Sequence, residues 1–277
     1  MTKYVIAVSG GVDSVVLLDM LSRTPNLDLI VAHFDHGIRE DSAKDAKFVK
    51  NLAQKYNLPF ETRREELGQK ASEELARIRR YDFLWSVAAK YNAKLVTAHH
   101  ADDVIETIAI NLTRGTGWRG LSAMDSDVIR PMVGITKSQI IDYANKNNLK
   151  WREDVTNGSD DYLRNRIRRQ TLDMSDDDKR QLLALWSTQK KLKSDIDKEV
   201  GFLVDGSMAY SRYFFINIDD SVGMECLRHI VKAKLTRPQL LKTLYAIKTT
   251  MPQKTYHAGG GIQLNFTSRN FTVELIK

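Results

Sequence analysis

The sequence predicts an α/β protein with a doubly wound parallel sheet and a second, smaller, mainly helical α+β domain. Through the first 150 residues, short β-branched segments alternate with amphipathic segments of helical period, which is typical of parallel βαβ units. Polar and glycine-rich residues follow directly after several of the predicted strands. Beyond an acidic stretch at 175–178 the alternation ends and helical segments predominate. We therefore expect a first domain at 1–174 and a second at 175–277.

Five strands and five helices are expected in the first domain. The predicted strands are 3–8, 27–34, 59–63, 93–98 and 128–130. The predicted helices are 15–21, 41–57, 71–91, 101–113 and 136–147. The 71–91 helix is expected to bury Leu75, Ile78, Tyr81, Phe83, Leu84, Val87 and Ala88. Ligands of such a sheet bind outside the carboxyl ends of its strands, so the residues that follow each strand are candidates for function.

The second domain is expected to mix helices and strands. Helices are predicted at 176–201, 221–233 and 237–248, and strands at 212–219, 261–266 and 271–276. Ser268, Arg269 and Asn270 form a plausible turn between the last two strands.

The stretch from Ser9 to Ser14, S-G-G-V-D-S, connects the first strand to the first helix. Its glycines allow the backbone to approach a ligand closely, and the N–H groups at a helix N-terminus favour an anion such as phosphate. Asp13 repels phosphate unless a cation lies between them. The stretch is not a Walker A loop, because no lysine follows, and it is not G-x-G-x-x-G. The competing interpretation is a glycine turn in which Asp13 or Ser14 caps the helix.

Two further polar stretches follow predicted strands. Asp35 lies between His33 and His36 at the end of the second strand, where it suits Mg²⁺ or a substrate ammonium group. The competing interpretation of this stretch is a polar loop. Asp103 and Glu106 are three residues apart at the start of a helix, so they share one face and form a carboxylate pair for a metal ion or an amine.

The residues around that carboxylate pair leave two other interpretations open. One is helix capping by Asp102. The other is a zinc site made of His99, His100 and Asp103, although the H-E-x-x-H pattern is absent.

Composition points to a polyanionic partner and a reducing compartment. The 277 residues include 42 Lys and Arg against 35 Asp and Glu, a net charge of +7, for which solubility is the competing explanation. Basic residues also occur in a glycine-rich loop at 114–120 and on a helix at 76–81. Cys226 is the only cysteine, which excludes a disulfide framework or an iron–sulfur cluster built within one chain. With neither a signal peptide nor an apolar run of membrane length, the sequence predicts a cytoplasmic protein without a membrane partner.

Seven short motifs occur in order along residues 1–170. They are S-G-G-V-D-S, H-F-D-H-G-I-R, A-R-I-R-R-Y, T-A-H-H-A-D-D-V-I-E-T, R-G-T-G, R-P-M-V and E-D-V-T-N…R-N-R-I-R. Together they resemble the tRNA(Ile)-lysidine synthetases, which are part of the PP-loop, or N-type ATP pyrophosphatase, superfamily. The resemblance implies an adenine nucleotide alpha hydrolase-like catalytic domain at 1–174 and a tRNA-binding domain at 175–277. Beyond residue 170 the resemblance is limited to the overall architecture, in which the chain resembles the shorter members of the family.

The resemblance implies a ligation in two steps. ATP and Mg²⁺ activate the C2 oxygen of the wobble cytidine in a tRNA(Ile) with a CAU anticodon, and diphosphate leaves. The ε-amine of free L-lysine then attacks C2 and expels AMP. The product, lysidine, pairs with A instead of G, so decoding changes to AUA. The family also suggests a homodimer.

The resemblance further assigns roles to individual residues. ATP would be bound by Ser9, Gly10, Gly11, Val12, Asp13 and Ser14, and the catalytic residues would be Asp13, Asp35, Asp103, Glu106 and Arg114. Asp13 or Asp35 would bind Mg²⁺, Asp103 and Glu106 would bind the lysine ammonium, and Arg114 would bind either the lysine carboxylate or a phosphate. Phosphates of the tRNA would be contacted by Arg77, Arg80, Arg164, Arg166 and Arg168.

Two other functions remain as hypotheses. A tRNA thiolase of the same superfamily also begins with adenylation, but these enzymes generally need catalytic cysteines or a cluster, and the single Cys226 argues against that. The other hypothesis is a non-catalytic tRNA- or nucleotide-binding protein, against which the intact carboxylates Asp13, Asp35, Asp103 and Glu106 argue.

Overall fold

A four-stranded parallel sheet lies at the centre of the first of two units. The computed structural model of the protein describes residues 2–37, 42–68, 72–152, 166–168, 171 and 174–276. The strands of this sheet are β1 (Lys3–Ala7), β2 (Asp28–Asp35), β3 (Phe60–Arg64) and β4 (Ala93–Val96), in the order β3-β2-β1-β4. The strand predicted at 128–130 is present only as one parallel bridge, between Val96 and Ile129. The chain order reverses between β1 and β4, and ligands of open α/β sheets bind at such a switch point.

The first unit comprises residues 1–115 and 123–186, and the second comprises 116–122 and 187–277. Helices of the first unit are α1 (Val12–Ser22), α2 (Ser42–Lys55), α3 (Glu73–Tyr91), α4 (Ala101–Thr113) and α5 (Lys137–Lys146). Helix α6 (Asp176–Val204) begins in the first unit and ends in the second. Among the helices of the described ranges, none combines the length and apolarity needed to cross a membrane.

Helices cover both faces of the parallel sheet because side chains alternate along its strands. Ile6 and Val31 belong to the apolar cluster that includes residues of α1, α2 and α5. Val5 and Ile30 point the other way, into the cluster that includes residues of α3. The doubly wound arrangement predicted from the sequence is confirmed.

The apolar stripe predicted for α3 is wrong in its first turns. Leu75 and Ile78 are 39% and 50% exposed, whereas Phe83 and Leu84 are buried. The residues of α3 that pack in the apolar cluster shared with the sheet lie between Tyr81 and Tyr91. Only the later turns of the helix therefore contribute to this part of the core.

Among its described residues, the second unit contains an antiparallel sheet and three complete α-helices. The strands are β5 (Tyr210–Ser211), β6 (Thr255–Gly259), β7 (Ile262–Phe266) and β8 (Asn270–Leu275), in the order β5-β8-β7-β6. The helices besides the end of α6 are α7 (Arg212–Asn217), α8 (Asp220–Ile230) and α9 (Arg237–Thr249). Strand β6 was not predicted from the sequence.

The strand predicted at 212–219 is wrong, because most of this segment is helix α7. Ser211 caps the helix by accepting a hydrogen bond from the N–H of Phe214. The buried guanidinium of Arg212 donates to the carbonyl oxygens of Ile247 and Thr250, at 3.0 and 2.7 Å. A short apolar run does not by itself distinguish a strand from a buried helix, and here the cap and the arginine contacts decide.

A buried carboxylate joins three helices of the first unit. Asp19 of α1 is 2% exposed and accepts hydrogen bonds from the hydroxyls of Tyr56, which follows α2, and Tyr143 of α5, at 2.6 and 2.8 Å. It also pairs with Nε of Arg23 at 2.8 Å. Burial favours a higher pKa, but the hydrogen bonds from these partners outweigh it and lower the pKa of Asp19. This carboxylate therefore fixes how α1, α2 and α5 pack.

Replacing Asp19 by Asn should lower the free energy of unfolding by about 2–4 kcal/mol, because the charged acceptor of three hydrogen bonds is lost. Urea unfolding at pH 7 measures the change. Since the folded state lowers the pKa of Asp19, the stabilisation is present above pH ~4 and is lost as the pH falls below it. The two proteins should therefore become more similar in stability in acid.

The control for this experiment is Asp28→Asn. Asp28 pairs with Lys3 at the surface, with 3.8 Å between Nζ and Oδ2, and its loss should cost no more than about 0.5 kcal/mol. Equal losses in the two variants would show that Asp19 is no more important than a surface charge.

Candidate active site

The hydroxyl of Ser14 shapes the loop between β1 and α1. Its Oγ accepts hydrogen bonds from the N–H groups of Ser9 and Gly10, both at 3.2 Å, and donates one to the carbonyl of Gly11 at 2.9 Å. Gly10 has φ +98°, a region that favours glycine. Gly11 is the N-cap of α1, so no side chain of the N-cap residue covers the first N–H groups of the helix. These groups can therefore receive an anion.

Lys137 brings a cation to this loop from a distant part of the chain. Its Nζ lies 2.5 Å from Oδ1 of Asp13, which is in the first turn of α1. Lys137 is the first residue of α5, whose N-cap, Thr136, accepts a hydrogen bond from the N–H of Gln139. The loop thus has a lysine, although none follows it in the sequence, and that lysine offsets the negative charge of Asp13.

Consecutive residues at the start of α4 contact different partners. The N–H of His100, the N-cap, donates to Oδ2 of Asp103 at 2.9 Å. The carboxylate of Asp102 accepts hydrogen bonds from the N–H of Lys137 at 2.7 Å and from Nζ of Lys179 at 2.8 Å. The capping considered for Asp102 is therefore wrong. Asp103 caps α4, and Asp102 instead joins α4 to α5 and to the beginning of α6.

Carboxylates surround the buried imidazole of His100. Burial alone lowers the pKa of His100, but Asp102 near Nδ1 (3.6 Å), and Asp103 (3.5 Å) and Asp13 (3.9 Å) near Nε2, raise it above its ordinary value. Burial likewise favours a higher pKa for Asp102, yet its contacts with His100 and Lys179 hold that pKa well below the usual range. The site therefore combines a low-pKa carboxylate with an imidazole that is easily protonated.

His99 has the opposite environment. Burial, opposed by the charge of Asp103 and assisted by the charges of Arg130, Arg77 and Arg80, lowers the pKa of His99 to about 4. At pH 7 this imidazole is neutral. The pKa values of two adjacent histidines are thus shifted in opposite directions, because carboxylates surround His100 whereas His99 is buried and lies near arginines.

The two buried carboxylates among the predicted site residues each lie near an arginine. Asp35, at the end of β2, accepts a hydrogen bond from the N–H of Gly37 at 2.9 Å and lies 3.6 Å from Arg64. Glu106, on α4, lies 3.1 Å from Nε of Arg168. Within the described ranges, no group of three or more His, Cys, Asp and Glu side chains is arranged to hold a metal ion.

The arginines predicted to contact tRNA lie in different parts of the first unit. Arg77 and Arg80 lie on α3, 5.1 and 5.8 Å from the ring centre of Tyr81. Arg166 is exposed, whereas Arg168 pairs with Glu106. The predicted residue Arg164, the motif at 153–157 and residues 38–41 lie outside the described residues.

Arg114 lies far from the predicted carboxylate pair on the same helix. It is exposed and forms the C-cap of α4, whereas Asp103 is in the first turn. Eleven residues of α-helix separate them by about 16 Å along the axis. The helix therefore brings Asp103 together with His100 but not with Arg114.

Sequence reasoning missed Lys137 and Lys179. A signal for Lys137 was present, because T-K-S-Q at 136–139 is a capping-box pattern after the predicted strand at 128–130, and a helix that begins there starts near the carboxyl edge of the sheet. No comparable signal marks Lys179, which is 77 residues from its partner Asp102.

Comparison with protein families agrees with the geometry of the loop. A family model described as a PP-loop domain matches residues 1–174. The chain belongs to the PP-loop family. Its PP-loop is the Ser9–Ser14 segment, at the switch point of the sheet.

Curated relatives of this PP-loop protein include tRNA-modifying enzymes by name. The bifunctional protein TilS/HprT of Listeria monocytogenes (serovar 1/2a) is 39% identical over 219 residues, 73% of this chain and 33% of that protein. The tRNA(Ile)-lysidine synthase of Thermotoga maritima is 41% identical over 176 residues, 59% of this chain and 42% of that protein. The enzyme of the same name from Geobacter sulfurreducens is 41% identical over 181 residues, 60% and 38% of the two chains. The matched parts span about a third to two fifths of these relatives' length.

The PP-loop fold also occurs in solved structures of low sequence identity. The U34-tRNA thiolase NcsA from Methanococcus maripaludis has a TM-score of 0.57 at 19% identity, over 69% of this chain and 71% of that chain. This likeness supports the fold assignment alone.

The two histidines next to the PP-loop should titrate far apart. Long-range ¹H–¹⁵N spectra should give His100 a pKa above its ordinary value and His99 a pKa of about 4. Asp102→Asn should lower the pKa of His100, because a nearby negative charge is removed.

Asp142→Asn is the matched control for this titration. Asp142 is an exposed carboxylate on α5, and its loss should leave both imidazoles unchanged. A pKa of His100 that is below the ordinary value, or that does not respond to Asp102→Asn, would contradict the assignment.

Proposed function

We propose that this PP-loop protein is a ligase that forms lysidine in tRNA(Ile). The C2 oxygen of the wobble cytidine in the CAU anticodon attacks the α-phosphorus of ATP, the bond from the α- to the β-phosphate breaks, and diphosphate leaves. The ε-nitrogen of free L-lysine then bonds to C2, the C2–O bond breaks, and AMP leaves. One observation carries the proposal: Lys137 and His100 connect an anion-binding loop to the carboxylates at the start of α4. Relatives about 40% identical have the corresponding name.

The loop suits the triphosphate of ATP. The N–H groups at the start of α1 and the hydroxyl of Ser9 would donate to phosphate oxygens, while the hydroxyl of Ser14 would hold the loop in shape through its bond to the Gly11 carbonyl. The ammonium group of Lys137 would leave Asp13 and pair with a phosphate. The protein's contribution to this step is positioning and charge stabilisation.

Carboxylates near the loop fit Mg²⁺, which proteins usually hold by one or two carboxylates together with substrate phosphates. Of the two candidates, Asp13 is partly exposed, whereas Asp35 is buried and already accepts a hydrogen bond from Gly37. We therefore propose Asp13 as the ligand. When bound, the ion would offset the charge of the departing diphosphate.

Asp103 is better placed than Glu106 to receive the amine of lysine. The side chain of Asp103 is 28% exposed, whereas that of Glu106 is 8% exposed and pairs with Arg168. Asp103 would bind the ammonium group and accept a proton from it, because only the neutral amine is a nucleophile. Glu106 would add a buried negative charge that favours a cation nearby.

Arg114 would bind either the lysine carboxylate or a phosphate. Its backbone lies about 16 Å from that of Asp103 along α4. A lysine held at Asp103 would meet Arg114 only if the arginine side chain extended back towards the start of the helix.

Charge favours tRNA binding by the second unit. That unit contains 15 Lys and Arg against 8 Asp and Glu, which leaves 27 of each for the first unit. The formal surplus of +7 is therefore confined to the second unit. We propose that the domain predicted at 175–277 binds the tRNA body and that Arg77, Arg80 and Arg166 add phosphate contacts from the first. A cytoplasmic location and a homodimer complete the proposal.

Sulfur transfer is disfavoured by the state of the one cysteine. Cys226 is fully buried in the second unit, and burial raises the pKa of its thiol. A thiol of raised pKa forms little thiolate and is a poor nucleophile at neutral pH.

The function is tested by incubating the protein with ATP, Mg²⁺, labelled L-lysine and a tRNA(Ile) transcript with a CAU anticodon. A nucleoside digest should contain labelled lysidine only when ATP is present, and an elongator tRNA(Met) with the same anticodon should remain unlabelled. Absence of label from the nucleosides, or a product that requires sulfide in place of lysine, would refute the proposal.

Lys137→Met should lower kcat/KM for ATP in tRNA-dependent ATP–diphosphate exchange by about 10²–10³-fold, because a cation directed at the phosphates is lost. The backbone N–H that binds Asp102 is retained, so the fold should be unaffected. Lys137→Arg should recover part of the activity.

Lys146→Met is the control for Lys137→Met. Lys146 is exposed on the same helix, and its loss should change the exchange rate less than twofold. Normal exchange in Lys137→Met would exclude Lys137 from ATP use.

A further inference from the structure

We infer that the exposed face of α9 stacks against an unpaired base of the bound RNA, with Tyr245 as the stacking residue, an inference that rests on the proposed use of a tRNA substrate. Tyr245 is 69% exposed, and Leu241, one turn earlier on the same face, is 53% exposed. Lys242 is exposed beside them. An aromatic ring and an apolar side chain next to a lysine are the elements of a single-strand binding surface.

The opposite face of α9 fixes the position of Tyr245. Leu240, Leu244 and Ile247 are each at most 1% exposed and belong to the apolar cluster of the second unit. A capping box formed by Thr236 and Gln239 ends the helix at its N-terminus. The fold therefore does not depend on the exposed tyrosine ring, whose backbone is held in place before any ligand binds.

A groove of about 660 Å³ runs beside Tyr245, a volume usual for a small-ligand site. The acidic residue in its lining is Asp220, whose Oδ1 lies 2.5 Å from Nζ of Lys248, so that charge is already compensated. Among the residues that the structure describes, none forms an ion pair with Lys242. The groove thus combines an exposed aromatic ring with a lysine that is available to an anion. Its lining includes Leu241, Lys242, Leu244, Tyr245, Thr249 and Tyr256.

The distribution of charge indicates a nucleic acid as the occupant of this face. Residues 226–273, which include all of α9, contain eight Lys and Arg and no Asp or Glu. The rest of the second unit has seven basic against eight acidic residues. The positive surplus of the chain therefore originates in the stretch that carries Tyr245. An apolar face on a protein partner would need no such surplus, whereas a polyanion does.

An unpaired nucleotide fits this face better than a duplex does. In a duplex the faces of the bases are stacked on one another, so a tyrosine ring outside it meets only sugars, phosphates and base edges. An unpaired base offers a free π-face to the ring of Tyr245, and its phosphate can pair with Lys242. Stacking accepts any base, so the contact would strengthen binding of the tRNA without reading its sequence.

The test measures anisotropy of labelled RNA bound to the full chain. The probes are a uridine decamer, an abasic decamer with the same phosphates, a ten-base-pair RNA duplex and the tRNA(Ile) transcript. Wild-type protein should bind the uridine decamer about 10-fold more tightly than the abasic decamer, because only the former can stack.

Tyr245→Ala should reduce that ratio to about one and weaken binding of the transcript, while leaving binding of the duplex unchanged. Tyr245→Trp, which keeps an aromatic ring, should preserve the ratio. Because no charge is removed, Tyr245→Ala should not change the slope of log affinity against log salt. Lys242→Gln should do the reverse: it should reduce the slope by about one for both decamers and leave their ratio unchanged.

Phe202→Ala is the matched control. Phe202 is an even more exposed aromatic residue of the second unit, at 86%, but it lies between Glu199 and Asp205 in the sequence. Acidic neighbours repel phosphate, so its loss should leave the affinities for all four probes unchanged.

The outcomes separate this inference from the proposed function. If wild-type protein binds the two decamers equally, the inference is refuted even when Tyr245→Ala fails to fold. Equal losses for duplex and decamer in Tyr245→Ala, or no loss for any probe, would also refute it, and the second result would assign this face to a protein partner. If the decamers behave as expected but no lysidine is formed, the proposed function alone fails.

Discussion

The ion pair between Asp13 and Lys137 holds the site together. It joins the first turn of α1 to the first residue of α5, and the N–H of the same lysine donates to Asp102 at the start of α4. Three helix N-termini are thereby fixed at one edge of the parallel sheet. Each N-terminus carries a partial positive charge, so their convergence favours anions. The phosphate site that we propose here would follow from the packing of these helix ends, and the backbone of the PP-loop would approach the phosphate most closely.

The carboxylates at this edge prevent the positive ends from repelling one another. Asp13, Asp102 and Asp103 lie in the first turns of α1 and α4, where a negative charge is stabilised by the helix dipole. Their three negative charges are nearly matched by the positive groups nearby, which are Lys137, Lys179 and the readily protonated His100. An arriving polyphosphate can therefore exchange partners within an existing network, which needs less reorganisation than assembling a charged site from solvent.

Local sequence patterns predicted most of the first unit because the structural preferences of its strands and loops agree with the fold that they form. β1 and β2 contain runs of apolar, β-branched residues, and the Ser9–Ser14 and Asp35 stretches lie at the ends of these strands. The failures arose where tertiary contacts override local preference. Segment 212–217 is helical because Ser211 caps it and because the Arg212 side chain binds the carbonyls of Ile247, in α9, and Thr250, just after it. The arginine contacts are distant in sequence, so no local pattern predicts them. Leu75 and Ile78 fit the helical period but are exposed. Lys137 is far from the PP-loop in sequence, so only the order of strands brings the two together.

The site and the surplus charge occupy different units, and this division has a physical consequence. Attraction of a polyanion over long range depends on net charge and is screened by salt, whereas a paired and partly buried network is screened much less. The first unit has equal numbers of basic and acidic residues, so under our proposal it would recognise its substrates through directed contacts such as that of Lys137 with Asp13. The second unit, with the whole excess of positive charge, would supply non-specific attraction for the proposed tRNA substrate. Increasing ionic strength would therefore weaken capture of RNA well before it weakened recognition of the small substrates.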